Sequence, residues 1–265
     1  MALALVSNSM QVTVCQWDSR PEMLETQLQA LIAHCTATGS ELLLLPEMPF
    51  DDWLAASSEV DSPRWALSIQ RHLESLTRLV ALVPARVIAS RPLLDAAGIA
   101  RNRAFYCNAV DGLVDGHDKA HLPDENGYWE ARWYQPGPPE LITQQVGACR
   151  VGTLICSELW FLEHARSYGQ QQAQLLCVSR ATPSLGDDVW LAAGQTAAVV
   201  AGAYCLSSNQ YRPEGVAPSM AGNGWVIDPD GTVLATTTAD EPFVTTAIDL
   251  AHADAAKVSY PRYLR

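Results

Sequence analysis

The sequence predicts an α/β protein in which sheets and helices pack as layers of one domain. Strand-like apolar runs recur along the chain, and two long helical segments fall in each half. No internal repeat or low-complexity segment separates the halves. With 265 residues, of which 48% are hydrophobic and 17% charged, the chain can bury a large core. We therefore expect residues 1–265 to form a single domain.

In the first half, helical and strand-like segments alternate. An apolar stripe at helical spacing ends at Gly39, and a second begins at Asp61 and runs to Val80. Four consecutive leucines predict a strand that is buried on both faces. The predicted helices cover residues 21–38 and 61–80, and the predicted strands cover residues 10–16, 41–45, 79–89 and 105–110.

In the second half, helical and strand-like segments also alternate. A helical segment is expected to end at Gly169, and another begins at Asp187 or Asp188, where its small residues permit close packing on a sheet. The turn at Asp228-Pro229-Asp230-Gly231 predicts a hairpin. The predicted helices cover residues 157–166 and 187–204, and the predicted strands cover residues 151–155, 175–179, 205–208, 223–227, 232–235 and 243–248.

Charge and hydropathy exclude several classes of partner. A formal net charge of -12 makes nucleic acid and anionic membranes poor partners. No run of about 18 uninterrupted apolar residues occurs, so we expect no transmembrane helix. The opening M-A-L-A-L-V lacks a basic segment and is too short for a secretory leader, which predicts a cytoplasmic protein.

The seven cysteines are odd in number, scattered and without a C-x-x-C pair. This pattern favours reduced thiols over disulfides or a zinc cluster. His117 and His121 have the i,i+4 spacing of a metal pair, but Gly116 and Pro123 disfavour a helix there and no third ligand stands out. We expect neither a metal ion nor a cofactor.

Cys156 ends a strand-like run at the point where helix-forming residues begin. At such a corner, the first free N–H groups of a helix favour a thiolate and can hold an oxyanion. An isolated cysteine is more often a buried core residue. The choice depends on whether a base and a cation lie nearby.

Glu47, at a strand end, and Lys119, in a loop, fit those roles. Glu47 follows the leucine strand at the kind of sheet edge where sites in α/β proteins lie, although a glutamate in a solvated loop is the plainer interpretation. Lys119 opens a long segment dense in aromatic and charged groups, residues 117–137, although a surface lysine is the alternative.

The order of these residues resembles the nitrilase superfamily of carbon–nitrogen hydrolases. The resemblance spans nearly the whole chain and rests on five motifs: M-Q-V-T-V-C-Q, E-L-L-L-L-P-E, D-K-A-H-L-P, L-I-C-S-E-L-W-F-L-E and A-G-N-G-W-V-I-D-P-D-G. It implies an α-β-β-α sandwich and a homodimer or higher homo-oligomer formed through the helix after Cys156. It also implies a catalytic triad of Glu47, Lys119 and Cys156.

The resemblance also implies roles. Glu47 would act as general base, Cys156 as nucleophile, and Lys119 with the Ser157 N–H as oxyanion partners. Glu130 aligns with a second glutamate that contacts the lysine and the substrate. The residues expected to line the substrate pocket are Tyr128, Trp129, Trp133, Ser157 and Trp160.

The substrate is predicted to be a small molecule. The motifs look most like the branch that contains N-carbamoylputrescine amidase, so we expect hydrolysis of a linear amide or N-carbamoyl amine. Leu159-Trp160 lacks the arginine with which some relatives bind a carboxylate, and Asp124 or Glu125 could meet an ammonium group. The alternatives are a true nitrilase and a catalytically silent binding or scaffold protein.

Overall fold

The computed structural model describes residues 9–83, 85–183 and 187–264. The order of its elements begins β1 (Ser9–Trp17), α1 (Pro21–Thr38), β2 (Leu42–Leu44), α2 (Ser62–Leu82), β3 (Arg86–Leu94), β4 (Ala100–Asn108), β5 (Gly112–Asp118), α3 (Glu130–Trp133), β6 (Gln144–Val146) and β7 (Cys149–Ile155). It continues with α4 (Leu162–Gln170), β8 (Leu175–Arg180), α5 (Asp187–Ala201), β9 (Tyr204–Gln210), β10 (Trp225–Ile227), β11 (Val233–Thr236), β12 (Phe243–Asp249) and α6 (Leu250–Ala256). Short 3₁₀ turns cover Leu54–Ala56 and Cys156–Trp160.

Two six-stranded sheets carry the fold. The first has the order β12-β1-β2-β3-β4-β5, with β1, β2 and β3 parallel to one another. The second has the order β6-β7-β8-β9-β10-β11, with β7, β8 and β9 parallel. The end of β1 joins the sheets by pairing Gln16 with Asn209 and Trp17 with Gln210.

The sheets face each other and are covered by helices on their outer faces. Between them lies an apolar core in which Val14 and Leu44 of the first sheet join Val151 and Leu206 of the second. Helices α1 and α2 cover the first sheet, and α4 and α5 cover the second. The layers are therefore α-β-β-α, which confirms the predicted sandwich.

Local sequence signals set several helix ends. Gly39 ends α1 with a φ of 64° and donates its N–H to Cys35. Asp61 caps α2 by accepting the Arg64 N–H at 3.0 Å. The expected cap of α5 is Asp187 or Asp188. The side chain of Asp187 and the opening M-A-L-A-L-V lie outside the described residues, whereas Asp188 lies inside α5 and not at its cap.

Some predicted boundaries are wrong. The apolar run at residues 79–89 divides between the end of α2 and the start of β3, because Leu79 and Val83 bury against the first sheet as a continuation of the helical stripe. Residues 156–160 form a 3₁₀ turn, so the regular helix after Cys156 begins only at Leu162. Strand β4 begins before Phe105, at Ala100.

Candidate active site

A fully buried lysine joins two glutamates beside the carboxyl ends of the parallel strands. The Lys119 Nζ lies 2.8 Å from Glu47 Oε1 and 2.7 Å from both carboxylate oxygens of Glu130. None of the three side chains is more than 1% exposed. In the sequence, Glu47 precedes Lys119 by 72 positions and Glu130 follows it by 11, and the structure brings the three side chains together.

Asn102 connects the same two glutamates and was not predicted from the sequence. Its Nδ2 donates to Glu47 Oε1 at 2.7 Å and to Glu130 Oε2 at 3.4 Å. The backbone carbonyl of Asn102 accepts the backbone N–H of Lys119 at 2.8 Å. The available signal was Arg101-Asn102-Arg103, in which an uncharged amide between two arginines points inward on β4.

Glu47 leaves one oxygen available. Its Oε1 accepts from Lys119 and Asn102, whereas Oε2 is buried and has no hydrogen-bond partner within the part of the chain that the structure describes. A buried carboxylate oxygen without a donor is costly. It is therefore a candidate proton acceptor.

Cys156 lies where β7 ends, in a strained backbone conformation. Its φ is 50°, in the left-handed region that residues other than glycine rarely occupy. The side chain is 6% exposed, and Sγ lies 3.9 Å from the Ala181 carbonyl oxygen. The charges of Glu47 and Lys119 both act on the thiol, so it shares the electrostatic environment of the glutamate–lysine cluster.

Burial and the charges of the cluster together set the ionisation of the site. It raises the pKa of the Cys156 thiol, and Glu47 raises it further against the opposing effect of Lys119. Burial disfavours the Lys119 ammonium, but Glu130 and Glu47 outweigh that effect and raise its pKa. Burial and the charge of Glu47 raise the pKa of Glu130 to about 8. The resting thiol is thus protonated at neutral pH and needs a base before it can act as a nucleophile.

Glu158 holds the turn after Cys156 and was also missed in the sequence. Its two oxygens accept the Ile155 N–H at 2.7 Å and the Ala120 N–H at 2.8 Å, and His117 Nε2 lies 2.7 Å from Oε2. Ser157, predicted to contact substrate, donates its hydroxyl to the carbonyl of His121. The sequence signal for Glu158 was a carboxylate among the apolar residues of L-I-C-S-E-L-W. In the structure that carboxylate is fully buried.

Of the four aromatic residues predicted to bind substrate, Tyr128 has the clearest connection with the cluster. Its hydroxyl donates to the Ser219 carbonyl at 3.0 Å. Burial raises the pKa of that hydroxyl, and the nearby Cys156 and Glu125 raise it further. Tyr128 therefore lies within the electrostatic reach of the thiol.

The other three aromatic residues make different contacts. Trp133 is buried and donates its Nε1–H to the Ser57 carbonyl at 2.7 Å. The Trp129 ring has the Arg132 guanidinium 5.6 Å from its centroid. Trp160 is 45% exposed, and its ring centroid lies 4.6 Å from that of Trp190 on α5. Their role in substrate binding stays a prediction.

The two histidines with metal-pair spacing have separate partners. His117 pairs with Glu158, whereas His121 stacks on Phe161 and has its Nε2 3.0 Å from that of His164. Among the described residues, no group of three or more histidine, cysteine or carboxylate side chains is arranged to hold a metal ion. In the same part of the chain, no helix has the length and hydrophobicity needed to cross a membrane.

Comparisons with known proteins agree with this architecture. Residues 11–258 match the model of the carbon-nitrogen hydrolase family, and the chain belongs to that family. It is therefore an enzyme of the amidohydrolase class, as predicted. A carbon-nitrogen hydrolase from Helicobacter pylori G27 has a similar structure, with a TM-score of 0.82, 20% identity, and coverage of 96% of this chain and 94% of the other.

The relatives with similar sequences include amidases by name. A citrullinase from Francisella tularensis is 25% identical over 82% of this chain and 80% of its own. A deaminated glutathione amidase from Synechocystis is 28% identical over 83% of this chain and 84% of its own. An N-carbamoylputrescine amidase from Arabidopsis thaliana is 25% identical over 56% of this chain and 50% of its own. The predicted resemblance to this family and its amidase branch is confirmed.

Proposed function

We propose that the protein hydrolyses the C–N bond of a small linear amide or N-carbamoyl amine through a thioester on Cys156. The observation that carries the proposal is the buried contact of Lys119 with Glu47 and Glu130, whose charges act on the strained Cys156. This arrangement supplies a nucleophile, a base and a fixed positive charge, which are the three components that acyl transfer needs.

Acylation begins with a proton transfer. Glu47 takes the thiol proton on Oε2, the carboxylate oxygen that has no donor among the described residues, and the thiolate attacks the substrate carbonyl carbon. Lys119 and the backbone N–H of Ser157 stabilise the oxyanion of the tetrahedral intermediate. The intermediate collapses as the C–N bond breaks, and the protonated Glu47 gives its proton to the departing ammonia or amine.

Deacylation uses the same groups in reverse. Glu47, again a carboxylate, takes a proton from water while the water oxygen attacks the thioester carbon. The second tetrahedral intermediate releases the acid, and the thiolate recovers the proton from Glu47. Glu130 holds Lys119 from the other side with both oxygens at 2.7 Å, which keeps the ammonium in place through both steps.

The substrate proposal rests on the charges around Tyr128. Asp124 is already paired with Arg132 at 2.7 Å, whereas Glu125 has no ion pair among the described residues. Glu125 raises the pKa of Tyr128, so its charge lies close to that hydroxyl. We therefore favour Glu125 over Asp124 as the partner of a cationic or polar end of the substrate. The names of the relatives support N-carbamoyl amines and amides as the substrate classes to test.

We also propose a homodimer or higher homo-oligomer in the cytoplasm. Trp160, Leu162 and Val189 are exposed apolar residues near the post-cysteine turn and at the start of α5, where a second copy could cover them. All seven cysteines are free, which suits a reducing compartment. Sedimentation at several protein concentrations tests the assembly.

The proposal is tested by Cys156→Ala, with Cys35→Ala as the matched control in α1. Both variants are assayed on paired amides, N-carbamoyl amines and nitriles, with quantification of acid, amine and ammonia. Cys156→Ala should abolish turnover while Cys35→Ala retains it, and amides should be converted in preference to nitriles. Appreciable activity in Cys156→Ala would contradict the mechanism, whereas preferential conversion of nitriles would identify a nitrilase. Absence of turnover on every substrate, with no preferential alkylation of Cys156, would favour a silent binding protein.

A further inference from the structure

We propose that Glu158 is a positioning residue that fixes the nucleophile turn relative to the segment that carries Lys119. The inference rests on the proposed function, in which Cys156 and Lys119 act on the same carbonyl group. Among the described residues, Glu158 bonds to Ile155, Ala120 and His117 and to none of Glu47, Lys119 and Glu130, so its effect on the reaction is exerted through the backbone.

The geometry of the carboxylate carries the argument. Oε2 accepts the N–H of Ile155, the residue before the nucleophile, at 2.7 Å. Oε1 accepts the N–H of Ala120, the residue after Lys119, at 2.8 Å. Because the carboxylate is rigid and planar, these two hydrogen bonds fix the distance between the two backbone segments.

The charge on Glu158 strengthens this connection. Burial alone would raise the pKa of its carboxyl, but His117 and the two backbone N–H groups outweigh burial and lower it. An ionised, fully buried carboxylate accepts shorter and stronger hydrogen bonds than a neutral amide does. Desolvating a charge is costly, so the hydrogen bonds that offset this cost hold both segments firmly.

A second connection runs beside the first. The Ser157 hydroxyl donates to the carbonyl of His121, two residues after Lys119. Glu158 and Ser157 thus contact the segment after Lys119 at a backbone N–H and a backbone carbonyl, respectively. Cys156 keeps its strained φ of 50° inside a turn held from both sides.

Glu158→Gln tests the role with little change in volume. One oxygen becomes an NH₂ group, so one of the two backbone N–H groups faces a donor and the segments move apart. A displacement on the order of 1 Å can cost about 10²-fold in rate. We expect kcat to fall about 10- to 100-fold while KM stays within about threefold of the wild-type value.

Glu163→Gln, which alters an exposed carboxylate on α4, is the control and should keep wild-type kcat. All variants are assayed well below the melting temperature measured for each. A Glu158→Gln enzyme with lowered stability but kcat within about twofold of wild type would overturn the proposal, because a purely structural residue behaves in that way.

Ser157→Ala provides a second variant if Glu158→Gln does not fold. It keeps the backbone N–H of residue 157 and loses only the hydroxyl contact with His121, so kcat should fall about threefold or more with KM unchanged. Unchanged kcat in that variant would then overturn the proposal. Cys156→Ala distinguishes failure of the proposed function from failure of the positioning role. Turnover that survives Cys156→Ala refutes the proposed function. If only the positioning role is wrong, Cys156→Ala is inactive and Glu158→Gln is fully active.

Discussion

Replacing Glu47 by glutamine tests the proton transfer that starts the reaction. The substitution keeps the size of the side chain and the acceptor that Lys119 and Asn102 contact at 2.8 and 2.7 Å. It replaces the carboxylate oxygen that has no hydrogen-bond partner among the described residues with an amide nitrogen. That nitrogen cannot accept the thiol proton, so the nucleophile loses its base.

The expected loss follows from the ionisation of the thiol. At its ordinary pKa of 9.0, about 1% of a cysteine is thiolate at neutral pH, and burial of Cys156 reduces this fraction further. General-base catalysis by a placed carboxylate contributes about 10²- to 10⁴-fold. We therefore expect kcat/KM of Glu47→Gln to fall about 10³-fold.

Two assays measure this effect. The first is the initial rate of ammonia or amine release from the best amide substrate, with Glu74→Gln on the exposed side of α2 as control. The second is the rate of Cys156 alkylation by iodoacetamide as a function of pH, followed by mass spectrometry of the labelled peptide. Glu74→Gln should match the wild type in both assays. Because the charge of Glu47 raises the pKa of the Cys156 thiol, Glu47→Gln should alkylate from a lower pH even though its amide turnover is lost. Amide turnover in Glu47→Gln within about tenfold of wild type would refute the assignment of Glu47 as the base.

Two further predictions concern the charge balance of the site. Lys119→Met leaves the Glu47 carboxylate buried without its cation, so activity should be lost and the free energy of unfolding should fall by about 3 to 5 kcal/mol in urea titrations. A variant as stable as the wild type would contradict the ion-pair account. Because the pKa of Glu130 rises from 4.5 in the unfolded chain to about 8 in the folded one, the folded protein holds an extra proton between those values. As the pH rises through that window, the free energy of unfolding of the wild type should therefore fall relative to that of Glu130→Gln by up to about 1.4 kcal/mol per pH unit. A stability difference between the two proteins that does not change with pH would contradict the raised pKa of Glu130.

Several features were predictable because a local rule decides them. The four leucines, followed at once by Pro46, suit a short strand covered on both faces, and β2 is buried throughout. Gly39 and Asp61 end and begin helices by the backbone and capping preferences of their residue types. The sequence also placed Glu47 and Cys156 at strand ends, and in the structure the charges of Glu47 and Lys119 both act on Cys156. Lys119, expected in a loop, directly follows β5, a strand that was not predicted.

Other features depend on contacts between distant segments. Whether residues 79–82 continue a helix or begin a strand depends on the sheet beneath them, because a continuous apolar run fits both. Asn102 contacts Glu47 only because β4 lies in the assembled sheet, and Glu158 contacts Ala120, which is 38 residues away. The neighbouring sequence of neither residue reveals these partners. Such residues become visible only when the sheets are assembled.

The most direct test of the central claim is mass spectrometry of the enzyme quenched during turnover of an amide substrate. The mechanism predicts an adduct with the mass of the substrate's acyl group on the peptide that contains Cys156. The other six cysteines of the same sample should remain unmodified. Steady turnover with no adduct on Cys156 under rapid quenching, or an adduct on another cysteine that is required for activity, would contradict it.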